Sequence, residues 1–285
     1  MAYSAISKSS SYMNTVLYTG DGSGATVSGV GFQPDLNWTK SRSNTLNHAV
    51  TDAARGVQIT IYPNLNSASD DVTNGLTAFN ADGYVHGDHS LWATNSATYA
   101  SWNWKAGTTS GLTGGTITPS AYSFSTTSGL SIIKWAGTGS TGTIPHGLGA
   151  VPRMIIVKDN TVGYDWRVYH ASMGNGRIIR LNTTGAEDTG TYWNNTTPTS
   201  TVFSVAGGVG TNDSGSTMVA YCFADVKGFS KFGEYKANDV IDGPFIYTGF
   251  QPAWIMIKEY DVSGNHWHIY DNKREGYNGA NDYLE

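Results

Sequence analysis

Several short stretches of this 285-residue sequence collect the side chains that metal or acid–base chemistry needs. In His86-Gly87-Asp88-His89, two imidazoles and a carboxylate fall within four residues, a donor set able to ligate a transition metal. The competing reading is a polar loop, since a second copy of this region has no histidine at the aligned place. His266-Trp267-His268 spaces two histidines at i and i+2, which share one face if the segment is a strand. An ordinary strand is the preferred reading there too. Asp52 with Arg55, and Asp271 with Arg274, repeat a carboxylate and a guanidinium three residues apart. The pair resembles a catalytic or ligand-binding couple, but His170 and Met173 replace it in the middle copy. A buried, turn-fixing ion pair fits that substitution better. Asp70-Asp71 and Glu187-Asp188 lie in polar loops and read as solvated, whereas glycoside hydrolysis needs two carboxylates roughly 5–9.5 Å apart across a cleft.

Aromatic residues outside the strand alternation offer a different chemistry. Trp92, Tyr192 and Trp193 sit in stretches rich in Asn, Ser and Thr, with Asn194 alongside. A ring flanked by amides and hydroxyls can bind a sugar or a protein partner; the alternative is that these rings cover a sheet edge. The sequence contains no G-x-S-x-G elbow, phosphate-binding loop, H-E-x-x-H or cysteine-based metal spacing. The glycine clusters at 20–24 and 207–210 have no helix after them and read as turns. The expected ligand-binding residues are therefore Trp92, Tyr192, Trp193 and Asn194. No catalytic residue and no cofactor is assigned. No metal is assigned either, and His86, Asp88 and His89 are the residues one would use.

Positioning these side chains falls to a phrase that occurs three times. Gly149-Ala150-Val151-Pro152-Arg153-Met154-Ile155-Ile156-Val157-Lys158 is matched by Gly31 to Lys40 around Pro34, and by Gly249 to Lys258 around Pro252. Each copy has Gly three residues before Pro and Lys six residues after it, giving Lys40, Lys158 and Lys258. A ring follows (His48, Trp166, Trp267), and four residues later comes Asp52, His170 or Asp271. The first two copies also end alike, Thr98 to Trp104 aligning with Thr217 to Phe223. The prolines lie 118 and 100 residues apart, beyond the roughly 20–50 residues of solenoid repeats. The phrase reads as a tandem of whole small domains.

Composition agrees with an all-β chain. Charged residues make up only 14% while Gly numbers 35 and Tyr 17, which points to turn-rich β structure rather than disorder. A net charge of −5 argues against nucleic-acid binding. No apolar run nears the ~20 residues of a membrane span, and residues 1–13 have no apolar signal-type segment. The single cysteine, Cys222, leaves no intramolecular disulfide and falls in a strand pattern as a small buried residue. These features fit folding in a reducing cytosol.

The expected architecture is tandem antiparallel β-sandwich modules of jelly-roll or lectin-like type, two complete and a third partial. Residues 1–13 form an N-terminal arm, 14–106 the first module and 107–120 a flexible Gly/Thr-rich linker. Residues 121–232 form the second module and 233–285 the partial third. Half a sandwich cannot bury its apolar face alone, so the third must pack on the second module or on another chain. Asn80-Ala81-Asp82-Gly83 reads as a hairpin turn, and no stretch shows a convincing helical period.

Longer motifs carry a resemblance. Asn14 to Gly20, Gly31-Phe32-Gln33-Pro34-Asp35, Lys40 to Ser43 and Asp52-Ala53-Ala54-Arg55-Gly56 resemble a family of modular proteins encoded by marine tailed bacteriophages. Tyr169 to Gly174, Leu181 to Ala186, Trp193-Asn194-Asn195, Phe229 to Gly233 and Gly243 to Phe250 match as well. The resemblance covers nearly the whole chain from about Tyr12, and in that family such modules recur in tandem within tail-fibre and other appendage proteins. It implies a virion structural protein, assembled in the host cytoplasm, that attaches to a host surface without catalysis. The implied partners are other virion proteins and a host-surface glycan or protein, with homo-oligomers, trimers foremost, and neither nucleic acid nor membrane insertion. A capsid decoration protein and a depolymerase-like fibre enzyme are the alternatives.

Overall fold

Strands make up nearly every element of the computed structural model, which describes residues 4–208, 210–274 and 284, and the central ones are buried on both faces. The first stretch supplies β1 (Met13–Thr19), β2 (Ala25–Ser28), β3 (Leu36–Ser41), β4 (Ala49–Asp52), β5 (Gly56–Ile61), β6 (Asp70–Asp71), β7 (Leu76–Asn80), β8 (Gly83–His86) and β9 (Thr98–Trp104). The second supplies β10 (Ala121–Ser125), β11 (Leu130–Ala136), β12 (Gly142–Pro145), β13 (Met154–Asp159), β14 (Arg167–His170), β15 (Arg177–Arg180), β16 (Asp188–Thr189), β17 (Val202–Val205) and β18 (Thr217–Phe223). A last hairpin pairs β19 (Trp254–Ile257) with β20 (His268–Asp271).

The molecule is all-β and antiparallel. A six-stranded sheet runs β1-β9-β3-β4-β5-β6, and a seven-stranded sheet runs β10-β11-β18-β13-β14-β15-β16. The order β9-β3-β4-β5-β6 in one is that of β18-β13-β14-β15-β16 in the other. Each large sheet is faced by a small one, β2-β8-β7 or β12-β17, which gives the sandwich character expected.

Strand alternation decides which core each residue enters. On β3 and β9, Leu36, Trp38, Ala100 and Trp102 point to one side. Met154, Ile156, Val219 and Tyr221 of β13 and β18 enter the same cluster, and Ile269, Trp254 and Met256 of the last hairpin join it. The two large sheets and the hairpin thus share one central core. Residues of opposite parity face outward, to a smaller core under each small sheet.

The Gly-x-x-Pro turn has a simple backbone cause. Gly31, Gly149 and Gly249 have φ of +88°, +68° and +85°, a region that L side chains enter at a cost. The proline that follows stands just before its strand, where no ladder hydrogen bond is lost.

Several expectations need correction. Within 107–120, Ile117 is buried in the second small core, and Thr108 bridges to Phe124. Among the described residues there are two short helical turns, a 3₁₀ turn at Ser9–Ser11 and a four-residue helix α1 at Ser90–Ala93. The arm, where described, is tied down by buried Ile6 and by a Tyr12–Phe229 edge contact. The third copy packs on both preceding stretches, not on the second alone. Part of it, residues 275–283 and 285, lies outside the described residues.

Candidate functional site

Burial removes two of the four expected ligand-binding residues from the surface. Trp92 belongs to α1 and is fully buried among Val27, Leu76, Tyr84 and Leu91. Trp193 is 1% exposed, donates its indole N–H to the Arg177 carbonyl (3.0 Å) and meets Tyr169 edge-on. A large ring in an irregular segment gains more from the core than from water. Tyr192 is half-buried, donates to Asp188 Oδ2 (3.0 Å) and lies under the Arg167 guanidinium at 5.4 Å. Asn194 is exposed in a left-handed conformation, φ +50°. The four do not form one surface.

The histidine-rich loop also disperses. His86 turns inward, stacks on Tyr18 (5.6 Å) and bonds through Nδ1 to the Gly87 carbonyl. His89 caps α1, its Nδ1 accepting from the Leu91 N–H at 3.3 Å, while Asp88 faces solvent. Strand β20 begins at His268, so His266 and His268 do not lie together on a strand face. Among the described residues no three His, Cys, Asp or Glu side chains converge on one point.

What the chain does bring together is the repeated carboxylate and guanidinium. Asp52 Oδ1 accepts from the Ala54 and Arg55 N–H groups at 3.0 and 2.9 Å, fixing the turn. Its Oδ2 accepts from Arg55 Nε and from the Tyr221 hydroxyl, each at 2.6 Å. Arg55 also donates to the Ile59 and Val50 carbonyls and to Tyr221. Asp271 repeats the geometry: Oδ1 accepts from the Lys273 and Arg274 N–H groups, and Oδ2 from Arg274 Nε (2.7 Å) and Trp102 Nε1 (3.0 Å). Both carboxylates and both guanidinia are withdrawn from solvent. The reading as buried, turn-fixing ion pairs is the one the geometry supports.

Each pair reaches across to a different stretch. Tyr221 and Trp102 hold the same place in β18 and β9, fifth in each aligned ending. The sequence aligned them but gave no sign of which carboxylate each would meet. The repeated rings and lysines reach the other way. Trp166 donates to the Tyr62 and Leu65 carbonyls, and Trp267 to the Arg180 carbonyl. Lys40, Lys158 and Lys258 each donate to a carbonyl in the loop after their own strand (Leu46, Val162 and Asn265). Lys158 and Lys258 add the Asn66 and Thr184 carbonyls of the preceding stretch. The repeated phrase is an interlocking device.

Electrostatics follow burial. Desolvation pushes the Tyr221 hydroxyl well above its ordinary range, so it stays a proton donor to Asp52. Burial brings the Lys158 ammonium down to about 8, against the opposing pull of Asp159 and Asp165. Burial likewise pushes the Cys222 thiol up and leaves it unreactive. One surface hollow, of 450 Å³, is lined by Tyr62, Asp70, Asp71 and His89 among others; another, of 270 Å³, runs between β1 and β2 past Tyr18 and His86. Asp70 and Asp71 are exposed in the first, as the sequence implied.

A family model described as a domain of unknown function (DUF7483) matches residues 8–285. No curated protein and no solved structure matches the chain significantly.

Proposed function

This chain belongs to the DUF7483 family, a domain of unknown function, and we propose that it is a non-catalytic structural protein of a virion, a tail fibre or appendage that attaches to a host surface. The observation that carries the non-catalytic part is the saturation of its best acid–base groups. Asp52 and Asp271 each accept four hydrogen bonds inside the core. A general acid or nucleophile needs a free lone pair within reach of substrate, and these have neither. The sequence resemblance to phage appendage modules supports the virion setting.

Assembly with further copies of this chain is part of the reading. Ile241, Phe245 and Tyr247 are 109%, 90% and 70% exposed within one short segment, and clustered apolar exposure of this kind marks contact surfaces. Light scattering on the purified chain tests this, with an Ile241→Ser, Phe245→Ser variant alongside. A trimer that the variant dissociates is the expected result; a monomeric wild type overturns it. Immunogold labelling of particles that carry the protein then separates an appendage from a capsid decoration. Label at a tail or fibre supports attachment, and label spread over the capsid overturns it.

A further inference from the structure

The three copies exchange contacts in one direction around the central core. The closing strand of each complete copy delivers its fifth residue to the turn of another copy: Tyr221 of β18 donates to Asp52, and Trp102 of β9 donates to Asp271. The repeated rings follow the same order, Trp166 of the second copy reaching the first and Trp267 of the third reaching the second. The second copy thus serves the first, and the first serves the third. The step left over runs from the third copy to His170, which pairs with Met154 as Asp52 pairs with Leu36 and Asp271 with Trp254. His170 Nδ1 accepts from the Ser172 N–H (3.3 Å), much as Asp52 and Asp271 accept from their own turns.

Among the described residues, no strand of the third copy makes that step. β19 stands where β3 and β13 stand, but it pairs with β20 alone, whereas β3 and β13 also pair with a closing strand. Leu284 adds to the far side of β20, exchanging both backbone bonds with Ile269 at 3.0 and 3.1 Å. Ile269 therefore faces away from β19, and its opposite number Met256 turns its N–H and C=O to the open edge. The start of the strand agrees. Asp35 and Arg153 donate to the Trp104 and Phe223 carbonyls of their closing strands (2.9 and 2.7 Å), and each accepts from the strand on its other side. Ala253 repeats the second bond, accepting from Asn272 at 3.0 Å. Ile255 is 39% exposed where Ile155, at the same place, is 0% exposed. The edge reads Trp-Ile-Met-Ile, with no charge or proline to keep another strand off.

We propose that the open edge of β19 accepts an extended strand from a different polypeptide, a strand of the β9 and β18 kind that runs antiparallel to β19. The two closing strands define its chemistry. Each has 7 residues, and those at the third, fifth and seventh places (Ala100, Trp102, Trp104; Val219, Tyr221, Phe223) enter the central core. The fifth residue would lie opposite Met256, as Trp102 lies opposite Trp38 and Tyr221 opposite Ile156, and would complete the exchange at His170. Because His170 Nδ1 accepts a hydrogen bond, the neutral ring carries its proton on Nε2 and donates from there. The incoming fifth residue must then accept, which a tyrosine hydroxyl does and an indole N–H does not. A second copy of this chain is a poor donor, since β9 and β18 each already lie between two strands of their own sheets. Main-chain bonds along an edge supply affinity for such a strand, and its alternate side chains supply specificity.

The inference needs neither the virion setting nor self-assembly through Ile241 and Phe245; a chain that is monomeric in light scattering removes that assembly and leaves this site testable. The probe is a fluorescein-labelled peptide of residues 216–224 with Cys222→Ala, titrated with the full chain and read by anisotropy. Saturable one-to-one binding is expected. N-methylation at Tyr221, whose N–H would face β19, should weaken it about tenfold or more, while N-methylation at Ala220, whose N–H points away, should not. A peptide with Tyr221→Phe should bind several-fold more weakly through loss of the His170 contact. In the protein, Met256→Pro removes an edge N–H that the β19–β20 ladder does not use, and Ala253→Pro does so at an exposed residue just before the strand. Either should weaken the peptide as N-methyl-Tyr221 does, which separates this edge from exchange into the place of β18. The proposal is overturned by absent binding, by equal losses at the two N-methyl positions, or by binding that both proline variants leave unchanged. A dimer of the chain that the peptide takes apart also overturns it, by giving the edge to a second copy.

Discussion

At the residue scale, the molecule's ionic chemistry is internal. Asp52, Arg55 and Tyr221 form a closed set in which every polar atom of the carboxylate has a donor. Tyr221→Phe removes one donor and leaves Asp52 Oδ2 on Arg55 alone, a loss of about 1–3 kcal/mol in chemical denaturation. Asp52→Ala strands a buried guanidinium and should cost more, about 3–5 kcal/mol. If both variants unfold at the wild-type denaturant midpoint, the interlock contributes nothing. A second prediction concerns His146, which is fully buried. Its Nδ1 accepts from the Leu148 N–H at 3.2 Å and its Nε2 donates to the Thr199 carbonyl at 3.1 Å. Burial holds its pKa below the ordinary value of 6.5, with the Thr199 carbonyl opposing. The unfolded chain then binds the proton more readily than the folded one. Stability is complete above about pH 6.5 and is lost as pH falls through the folded value. His170 shifts the same way, through burial and then Arg153. Thermal midpoints should fall on acidification below pH 6.5, and His146→Gln should flatten that fall to the His170 share.

Elements show how one short phrase is built three times with different surroundings. The turn glycine needs φ near +70° to +90° in every copy. At Gly149 an added Cβ meets nothing within 4 Å, so only backbone strain opposes a side chain. Gly149→Ala should lower stability by about 1–2 kcal/mol, and Gly149→Asn by less, because Asn tolerates this region. Equal stabilities of the two variants in urea titrations would remove the conformational argument. The same phrase was legible in sequence because its signals are local: a glycine, a proline, an apolar alternation and a lysine. The Asn80–Gly83 turn was legible for the same reason, since Asn80 and Gly83 pair across the β7–β8 hairpin. Helix α1 was not, because four residues are too few to display a 3.6-residue period. Trp92 and Trp193 were misread through their polar neighbours, which say where the chain runs but not where a ring points. Sequence alignment paired Trp102 with Tyr221 but could not reveal their partners Asp271 and Asp52. Those contacts, 169 residues apart in both cases, exist only once the sheets have come together.

For the whole molecule, the central core sets the unit of folding. A chain of independent sandwiches would bury each large sheet's apolar face within its own module. Here Trp38, Trp102, Ile156 and Tyr221 meet in one cluster, joined by Ile269, and Trp104 packs edge-on to Trp254 at 5.4 Å. Asp35 ties the stretches further, its carboxylate accepting from Ser123 Oγ (2.7 Å) and the Ala106 N–H (2.8 Å). Cooperativity follows from shared burial, because no large sheet can keep its inner face dry once its neighbour unfolds. Tryptophan fluorescence and far-ultraviolet circular dichroism should therefore report one coincident transition in denaturant, the signature of a single cooperative unit. A fragment ending at residue 120 would expose the inner faces of β3 and β9, including Leu36, Trp38 and Trp102. It should bind a hydrophobic dye and self-associate, whereas a fragment that is monomeric and melts as sharply as the intact chain would show the first stretch to be autonomous. Truncating Trp102 to Ala tests the same point in the intact chain. It removes a fully buried ring and the Asp271 donor together, and should cost at least about 3–5 kcal/mol. Because that ring joins the first stretch to the last, the loss should lower the midpoint seen by every probe at once, rather than splitting one stretch from the rest.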